Sequence, residues 1–193
     1  MEWLGNNWLE MLAAAFGIWS VWLSTREHLW AWPTAIVNVL LYVVVFRAAK
    51  LYADMGLQVV YAVISAYGWY HWKHGGANDT VLHVSRTSRQ EWVVLGAVAI
   101  VGAAGLGRLL ASTTDAALPT LDASLSVGSL VAQYMMTRKL LENWVVWIAL
   151  DLVYIGMFEF KQLHVTSALY VVWLVLGVIG WRSWRESLRA QGA

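Results

Sequence analysis

The sequence predicts an all-α membrane protein with seven transmembrane helices, arranged as two parallel three-helix repeats joined by one linking helix. Three observations support this fold class. Of 193 residues, 60% are hydrophobic and 13% are charged, and the mean hydropathy is +0.56. One soluble core cannot bury that much apolar surface. The other two observations are seven apolar segments and an internal repeat at a constant offset.

The apolar segments approach the length that a bilayer requires. A spanning helix needs about 20 mostly apolar residues, and fewer where protein surrounds it. The seven candidates are Trp8–Leu23, Leu29–Phe46, Met55–Trp72, Trp92–Ala111, Ala123–Met136, Trp144–Phe160 and Val165–Trp181. The fifth is the weakest, because it is short and contains Ser124, Ser126, Ser129 and Gln133.

The repeat supports that fifth segment. Residues 25–72 align without a gap with residues 137–184, and sixteen of the 48 aligned positions are identical. Roughly four identities are expected from a composition this rich in Val, Leu and Ala. At the same offset the fifth segment takes the place of the first, and the fourth stands alone between the copies. Duplication in an apolar chain is typical of transporters whose halves rock around a site between them.

The lone fourth helix also sets the direction of the second copy. A three-helix unit followed directly by its copy would be inverted, so the extra helix predicts parallel repeats. The chain then divides into a first repeat at 1–75, a loop and linking helix at 76–115, and a second repeat with its tail at 116–193. Four Lys and Arg residues lie on the N-terminal side and nine on the other. This asymmetry predicts an outside N-terminus, a cytoplasmic C-terminus and a cytoplasmic loop Lys73–Glu91. Within that loop, HGGAND predicts a turn and VLHVSRTS an extended stretch.

The sixth segment carries the one acid deep in an apolar span, Asp151. An ionised carboxylate near the bilayer centre costs ~3 kcal/mol, so it usually has a function or a partner. Trp144, Trp147, Asp151 and Tyr154 are spaced 3, 4 and 3 apart, which places them on one helical face. Indole rings, a negative charge and a phenol together suit a flat, cationic heteroaromatic ligand. The alternative is a structural polar knot, in which Asp151 bonds to Tyr, Ser or Gln and the tryptophans are packing.

The third segment shows a similar face, formed by Gln58, Tyr61, Ser65 and Trp72. Their repeat mates are Tyr170, Trp173, Gly177 and Trp184. A polar, aromatic stripe therefore recurs in both copies, as expected if both line one central path. The carboxamide of Gln58 donates and accepts hydrogen bonds, as recognition of an amide substituent requires. The alternative places Gln58 in the headgroup region.

On the second segment, Asn38 and Tyr42 are four residues apart and share a face. Asn38 aligns with Leu150 of the other copy, so it lies at the depth of Asp151. A hydrogen bond between helices explains Asn38 as well as ligand contact does.

Two further groups are interpreted as structural. Gly68 and Gly180 match across the copies, where small residues permit close helix packing. The tryptophans 69, 72, 181 and 184 lie beside Lys73, Arg182 and Arg185 and are interpreted mostly as an interfacial aromatic belt.

Several function classes are disfavoured. The chain has no GxxxxGK[ST] run, which argues against ATP-driven transport within it, and no HExxH or GxSxG motif. A net charge of +1 makes nucleic acid an unnatural partner, and the absence of cysteine excludes thiolate sites. His71, His74, Asp79 and His83 lie around a loop without fixed coordination geometry, so no metal site is predicted there, nor any cofactor.

Four further stretches of the sequence are ENWVVWIALDLVYIG, LYVVWLVLGVIGWRSW, LQVVYAVISAYGWYHW and VSRTSRQEW. Together they resemble the PnuC family of bacterial vitamin transporters, and the resemblance covers nearly the whole chain. It implies SWEET-like parallel repeats, a homotrimer in the bacterial inner membrane, and facilitated diffusion followed by trapping through cytosolic phosphorylation. Nicotinamide riboside is the best-established substrate of the family, and other members carry thiamine or other vitamins.

The resemblance also assigns substrate contacts to Trp144 and Trp147 of its Trp-x-x-Trp stretch and to Gln58. We therefore expect a uniporter in which the two tryptophans stack on the pyridinium ring. Asp151 would balance the charge or order the ribose contacts, and Gln58 with Asn38 would bind the carboxamide. Tyr42, Tyr61 and Tyr154 complete the predicted substrate site. Two rival classes remain, a membrane-embedded enzyme using the cytoplasmic His and Asp residues, and a structural subunit whose aromatic stripes are packing.

Overall fold

The computed structural model describes residues 8–48, 50, 52–114, 118–160, 162 and 164–191. These residues form seven α-helices and one short 3-10 helix, Ala77–Asp79. The α-helices are α1 (Trp8–Thr25), α2 (Ala31–Ala48), α3 (Tyr52–His74), α4 (Arg89–Thr113), α5 (Pro119–Thr137), α6 (Asn143–Phe160) and α7 (His164–Gln191). The predicted all-helical fold is confirmed, and each helix contains most of one predicted segment.

The local sequence explains two of the helix starts. Pro119 occupies the first turn of α5, where a backbone N–H would have no helical partner, so proline is well suited to begin this helix. The fifth segment, the weakest in the sequence, is a helix of 19 residues. At the start of α4, the Ser88 hydroxyl accepts a hydrogen bond from the backbone N–H of Glu91 at 3.2 Å. The Glu91 carboxylate accepts one from the Ser88 N–H at 2.8 Å. This capping box ends the extended stretch that precedes the helix.

Four of the described helical segments are long and apolar enough to cross a membrane: α2, α4, α6 and Thr166–Gln191 of α7. The other three, α1, α3 and α5, have 18, 23 and 19 residues, which is the right length. Exposed apolar side chains such as Ile100 and Val101, both above 70% exposed on α4, provide a surface for lipid.

Six of the helices pack in a closed ring. Along the chain α1 packs on α2, α2 on α3, α5 on α6, and α6 on α7. Two further contacts, α3 with α5 and α1 with α7, close the ring, and α4 packs on α5. Exchanging α1 with α5, α2 with α6 and α3 with α7 leaves the pattern of ring contacts unchanged. We refer to α1–α3 and α5–α7 as the two three-helix units.

A cluster of four buried tryptophans lies at one end of the ring. Trp32 meets Trp72 edge-on at a centroid distance of 5.2 Å, and Trp144 meets Trp184 in the same way at 5.4 Å. Trp72 and Trp184 contact each other at 5.8 Å. We refer to these four residues as the tryptophan cluster. Members of each repeat-related pair have the same neighbours, so the cluster joins the two units symmetrically.

The indole N–H groups reinforce this contact. Trp72 Nε1 donates to the backbone oxygen of Met136, and Trp184 Nε1 donates to that of Ser24, both at 2.9 Å. Donors and acceptors are both 112 residues apart, so the two hydrogen bonds are equivalent. Each crosses from one three-helix unit to the other.

The tryptophan cluster also tests two sequence interpretations. A Cβ atom on Gly68 would collide with the Trp32 ring, and one on Gly180 would collide with Trp144, which confirms the packing role of both glycines. The assignment of Trp72 and Trp184 to an interfacial belt is wrong, because they are 1% and 0% exposed. Tertiary pairing with the opposite unit buries them.

A salt bridge joins the same two units. Lys139 Nζ lies 2.9 Å from Glu27 Oε2, and the Lys139 ammonium also lies 4.6 Å from the centre of the Trp72 ring. These two residues are repeat mates, and both have left-handed backbones, with φ of 49° for Lys139 and 54° for Glu27. The α1–α2 and α5–α6 loops therefore have one conformation and meet through their equivalent side chains.

The extended stretch before α4 covers this end of the ring. Ser85 N–H donates to the Lys139 oxygen at 3.1 Å, and the Ser85 oxygen accepts from Leu141 N–H at 2.8 Å. Thr87 donates twice to the Glu142 carboxylate, at 2.8 and 2.9 Å. Val84 is buried among the tryptophans. The predicted turn and extended stretch are both present, and they seal one end of the molecule.

Neutralising one member of the Glu27–Lys139 pair should destabilise the fold, and exchanging the two should largely restore it. Glu27→Gln or Lys139→Met leaves a charge without its partner in a mostly buried position, at a cost of about 1 to 4 kcal/mol. Because the two positions are repeat mates with the same backbone, Glu27→Lys with Lys139→Glu places the same pair in mirrored order. Melting temperatures in detergent measure both effects, with the exposed Arg189→Gln as control. A double exchange as unstable as the worse single variant contradicts the equivalence of the two loops.

Candidate functional site

A cavity of about 560 Å³ lies inside the ring of helices. All six ring helices contribute to its wall, and α4 contributes none of its lining residues. Ser24, Ser65 and Met136 line the end nearest the tryptophan cluster, and Glu10, which is exposed, lines the other. The cavity is therefore enclosed by the two three-helix units and stops at the cluster.

The two units contribute matching side chains to the wall. Tyr42 and Tyr154 are repeat mates, and so are Phe46 and Phe158, and all four line the cavity. Tyr42 stacks on Phe46 at 5.6 Å, and Tyr154 stacks on Phe158 at 5.9 Å. The cavity thus lies between equivalent surfaces.

The structure brings all eight predicted site residues to the wall of this one cavity. They are Asn38, Tyr42, Gln58, Tyr61, Trp144, Trp147, Asp151 and Tyr154. They come from α2, α3 and α6, so the helical spacing found in the sequence correctly selected the inward faces of three helices.

Asp151 is buried, at 5% exposure, and its carboxylate has no hydrogen-bond or ion-pair partner among the described residues. The alternative of a structural polar knot required bonds to Tyr, Ser or Gln, and none is present in that part of the chain. Among the described residues that line the cavity, Glu10 is the other acid and none is Lys or Arg. A buried, unpaired charge is costly, and a cation beside Asp151 would offset that cost.

The two tryptophans of α6 have different surroundings. Trp144 is 1% exposed and belongs to the tryptophan cluster, with Gly180 against its ring. Trp147 is half-buried, and its repeat mate on the cavity wall is the small residue Ala35. Trp147 therefore offers the more accessible indole, and it faces a cavity that has no matching ring in the other unit.

Two amide side chains line the wall. The carboxamide of Gln58 has no hydrogen-bond partner among the described residues, and the side chain is half-buried. Asn38 Nδ2 donates to the backbone oxygen of Ala13 on α1 at 2.6 Å, so the bond between helices is present. Asn38 also lines the cavity, and its role in packing does not remove it from the wall.

The sequence analysis missed a polar face on α5. Ser126, Ser129 and Gln133 line the cavity, and Ser129 shares a hydrogen bond of 2.5 Å with the Tyr61 hydroxyl of α3. Their spacing of 3 and 4 was a readable signal of one helical face. The same polar residues lower the hydrophobicity of the segment, so they are interpreted as evidence against a membrane-spanning helix rather than as part of a site.

Known relatives match almost the whole chain. The nicotinamide riboside transporter PnuC of Escherichia coli (strain K12) is 26% identical over 212 residues, which cover 97% of this chain and 89% of the relative. The riboflavin/roseoflavin transporter RibM of Streptomyces davaonensis is 29% identical over 202 residues, covering 95% and 92%. A solved structure described as the crystal structure of the vitamin B3 transporter PnuC matches with a TM-score of 0.75 and 25% identity, over 96% of this chain and 84% of that one.

These relatives are transporters rather than enzymes, and the solved structure supports the all-helical fold described above. The family model described as nicotinamide mononucleotide transporter matches residues 7–186, nearly the full length. A cavity walled by both units of an apolar helical protein fits a family of membrane transporters. The chain belongs to the nicotinamide mononucleotide transporter family.

Proposed function

We propose that the protein carries nicotinamide riboside across the bacterial inner membrane by facilitated diffusion. The observation that carries this proposal is the buried carboxylate of Asp151, unpaired among the described residues, beside the accessible indole of Trp147. The described lining of their cavity contains no Lys or Arg. The names of the PnuC relatives support the same substrate.

Nicotinamide riboside has a pyridinium ring, a carboxamide and a ribose, and the wall offers a group for the first two. The pyridinium charge lies against Asp151, and its ring stacks on Trp147, with Trp144 behind it as part of the cavity floor. The substrate carboxamide exchanges hydrogen bonds with Gln58 and Asn38. Tyr42, Tyr61 and Tyr154 surround the ring with aromatic surface.

The charge of the cavity wall also determines how well the alternative substrates fit. Nicotinamide mononucleotide carries a phosphate, which proteins usually bind with Arg, Lys or backbone N–H groups, and the described part of the wall has no Lys or Arg. Riboflavin, named for one relative, has an uncharged ring that gives Asp151 no counterion. Thiamine has a cationic ring and remains the nearest alternative, distinguished from nicotinamide riboside by the carboxamide that Gln58 would read.

The transport mechanism proposed here uses all seven helices as membrane spans and two SWEET-like parallel repeats. The symmetric ring contacts, the equivalent cross-unit hydrogen bonds and the Glu27–Lys139 pair support it. The N-terminus lies outside, so the tryptophan cluster and the loop over it close the cytoplasmic end. Rocking of one repeat against the other opens the two ends in turn. Family resemblance adds a homotrimer and substrate trapping by cytosolic phosphorylation.

Asp151→Asn should weaken binding of nicotinamide riboside by roughly 5- to 150-fold, which corresponds to about 1 to 3 kcal/mol for losing the charge. The amide keeps the shape of the side chain, so the melting temperature should fall little or not at all. The uncharged reduced riboside should bind both proteins with similar, lower affinity. Dissociation constants and melting temperatures from one preparation separate these effects, and Asp122→Asn, outside the cavity wall, is the matched control. Equal losses for the charged and reduced ribosides would show that Asp151 is structural.

In vesicles containing only this protein, and with no membrane potential, uptake of radiolabelled nicotinamide riboside should stop at equal concentrations on both sides. The reason is that the chain has neither a nucleotide-binding motif nor a second acid deep in an apolar span. A kinase and ATP sealed inside should raise the accumulated label above that level. Accumulation of unmodified substrate driven by a proton or sodium gradient would falsify uncoupled transport.

The orientation can be measured because the chain has no native cysteine. Ser112→Cys, at the end of α4, should react with an impermeant maleimide added outside intact cells. Ala77→Cys, in the loop before α4, should react only after the membrane is made permeable. Both side chains are exposed in the fold, so reactivity reports sidedness. The reverse pattern contradicts both the orientation and the placement of the closed end in the cytoplasm.

A further inference from the structure

Three polar residues of α5 on the cavity wall have no polar repeat mates in the other unit. Ser126, Ser129 and Gln133, which we call the α5 polar row, line the cavity side by side. Their repeat mates on α1 are Ala14, Gly17 and Val21, and these also line the cavity. Alanine, glycine and valine side chains form no hydrogen bonds, so equivalent walls of the cavity differ sharply in polarity.

Most of the hydrogen-bonding capacity of the α5 polar row is unused. Ser129 is the exception, since its hydroxyl donates to the Ser126 backbone oxygen at 2.8 Å and meets the Tyr61 hydroxyl. The Ser126 hydroxyl and the Gln133 carboxamide have no partner among the residues that the structure describes. Ser124, on the exposed face of the same helix, is satisfied by the Thr120 oxygen at 2.7 Å. A polar group in a partly buried wall destabilises the protein unless a ligand or water forms a hydrogen bond with it.

The chemistry of these two groups fits hydroxyl ligands. The Ser126 hydroxyl donates once and accepts, and the Gln133 carboxamide offers two N–H donors and an oxygen acceptor. Sugar hydroxyls also donate and accept, so vicinal hydroxyls can satisfy both side chains. The wall position is suitable too, because α5 packs directly against α6, which carries Trp147 and Asp151. A ligand whose cationic ring lies on α6 has its sugar within reach of the adjacent helix.

We infer that the α5 polar row binds the sugar hydroxyls of the transported substrate, with Ser126 and Gln133 as residues that determine sugar specificity. This inference rests on the proposed function, since it assigns the remaining part of the riboside to a wall. It also orients the substrate, with the ring against α6 and the ribose against α5. The α1 positions that correspond to the row, Ala14, Gly17 and Val21, contact the opposite edge of the substrate without reading its hydroxyls.

The test compares ligands with and without the sugar. Binding of nicotinamide riboside, its 2′-deoxy and 3′-deoxy analogues, and the sugar-free cation 1-methylnicotinamide is measured by titration calorimetry or competition. The proteins are the parent, Ser126→Ala, Gln133→Leu and the control Ser124→Ala, which removes a hydroxyl from the same helix outside the cavity. Each variant is also melted, so that a folding defect is detected separately.

Ser126→Ala and Gln133→Leu should each weaken binding of nicotinamide riboside by about 3- to 15-fold, the effect of losing one or two net hydrogen bonds. Their affinity for 1-methylnicotinamide should equal that of the parent, and Ser124→Ala should match the parent for every ligand. For at least one deoxy analogue the loss caused by a variant should disappear, because the bonded hydroxyl is already missing.

Two results overturn the inference alone. In the first, the variants weaken the riboside and 1-methylnicotinamide equally, which makes the row structural. In the second, they change neither, which means that the row is solvated only by water. If the parent binds no nicotinamide riboside, the proposed function fails and the inference fails with it.

Discussion

The tryptophan cluster is the contact on which the packing of α1–α3 against α5–α7 depends. Trp72 and Trp184 meet between the units, and each indole N–H donates to a backbone oxygen of the opposite unit. Directional hydrogen bonds and the tilted contact between the Trp72 and Trp184 rings fix the two units at this end, and the Glu27–Lys139 pair adds an electrostatic contact. The cavity begins where these contacts end, because the remaining lengths of the six helices are not joined by the cluster.

The contact is strong but not fully satisfied. The indole N–H groups of Trp32 and Trp144 are buried without an acceptor among the described residues, and unsatisfied buried donors cost about 1 to 3 kcal/mol each. Both donors lie at the cluster end of the cavity, in equivalent positions of the two units. In the proposed alternating mechanism, a closed end must be stable without being irreversible. The two unpartnered donors would lower the stability of this end while the ring packing maintains its shape.

The helices and the location of eight residues on the cavity wall could be predicted, because helical periodicity is a property of the chain itself. The fate of Trp72 and Trp184 could not, since tryptophan near a helix end is equally typical of a lipid interface and of a buried contact. Only the opposite unit, with acceptors at Ser24 and Met136, decides between them. Asn38 shows a similar limit, because one side chain serves both helix packing and the cavity wall.

Positions where the two sequence copies differ provide the chemistry of the proposed site. The negative charge at one of them, Asp151, favours a cationic substrate, whose inward movement needs no coupled ion. Asp151 replaces Val39 and Trp147 replaces Ala35, so a symmetric scaffold becomes acidic and aromatic on one side. A cation moving inward gains ~2.3 kcal/mol per 100 mV of inside-negative potential, which drives uptake directly. In the proposed trapping step, phosphorylation would add about −1.5 to −2 charges, and the acidic wall would disfavour the resulting anion. The carboxylate proposed to bind the riboside would therefore also oppose the return of its product.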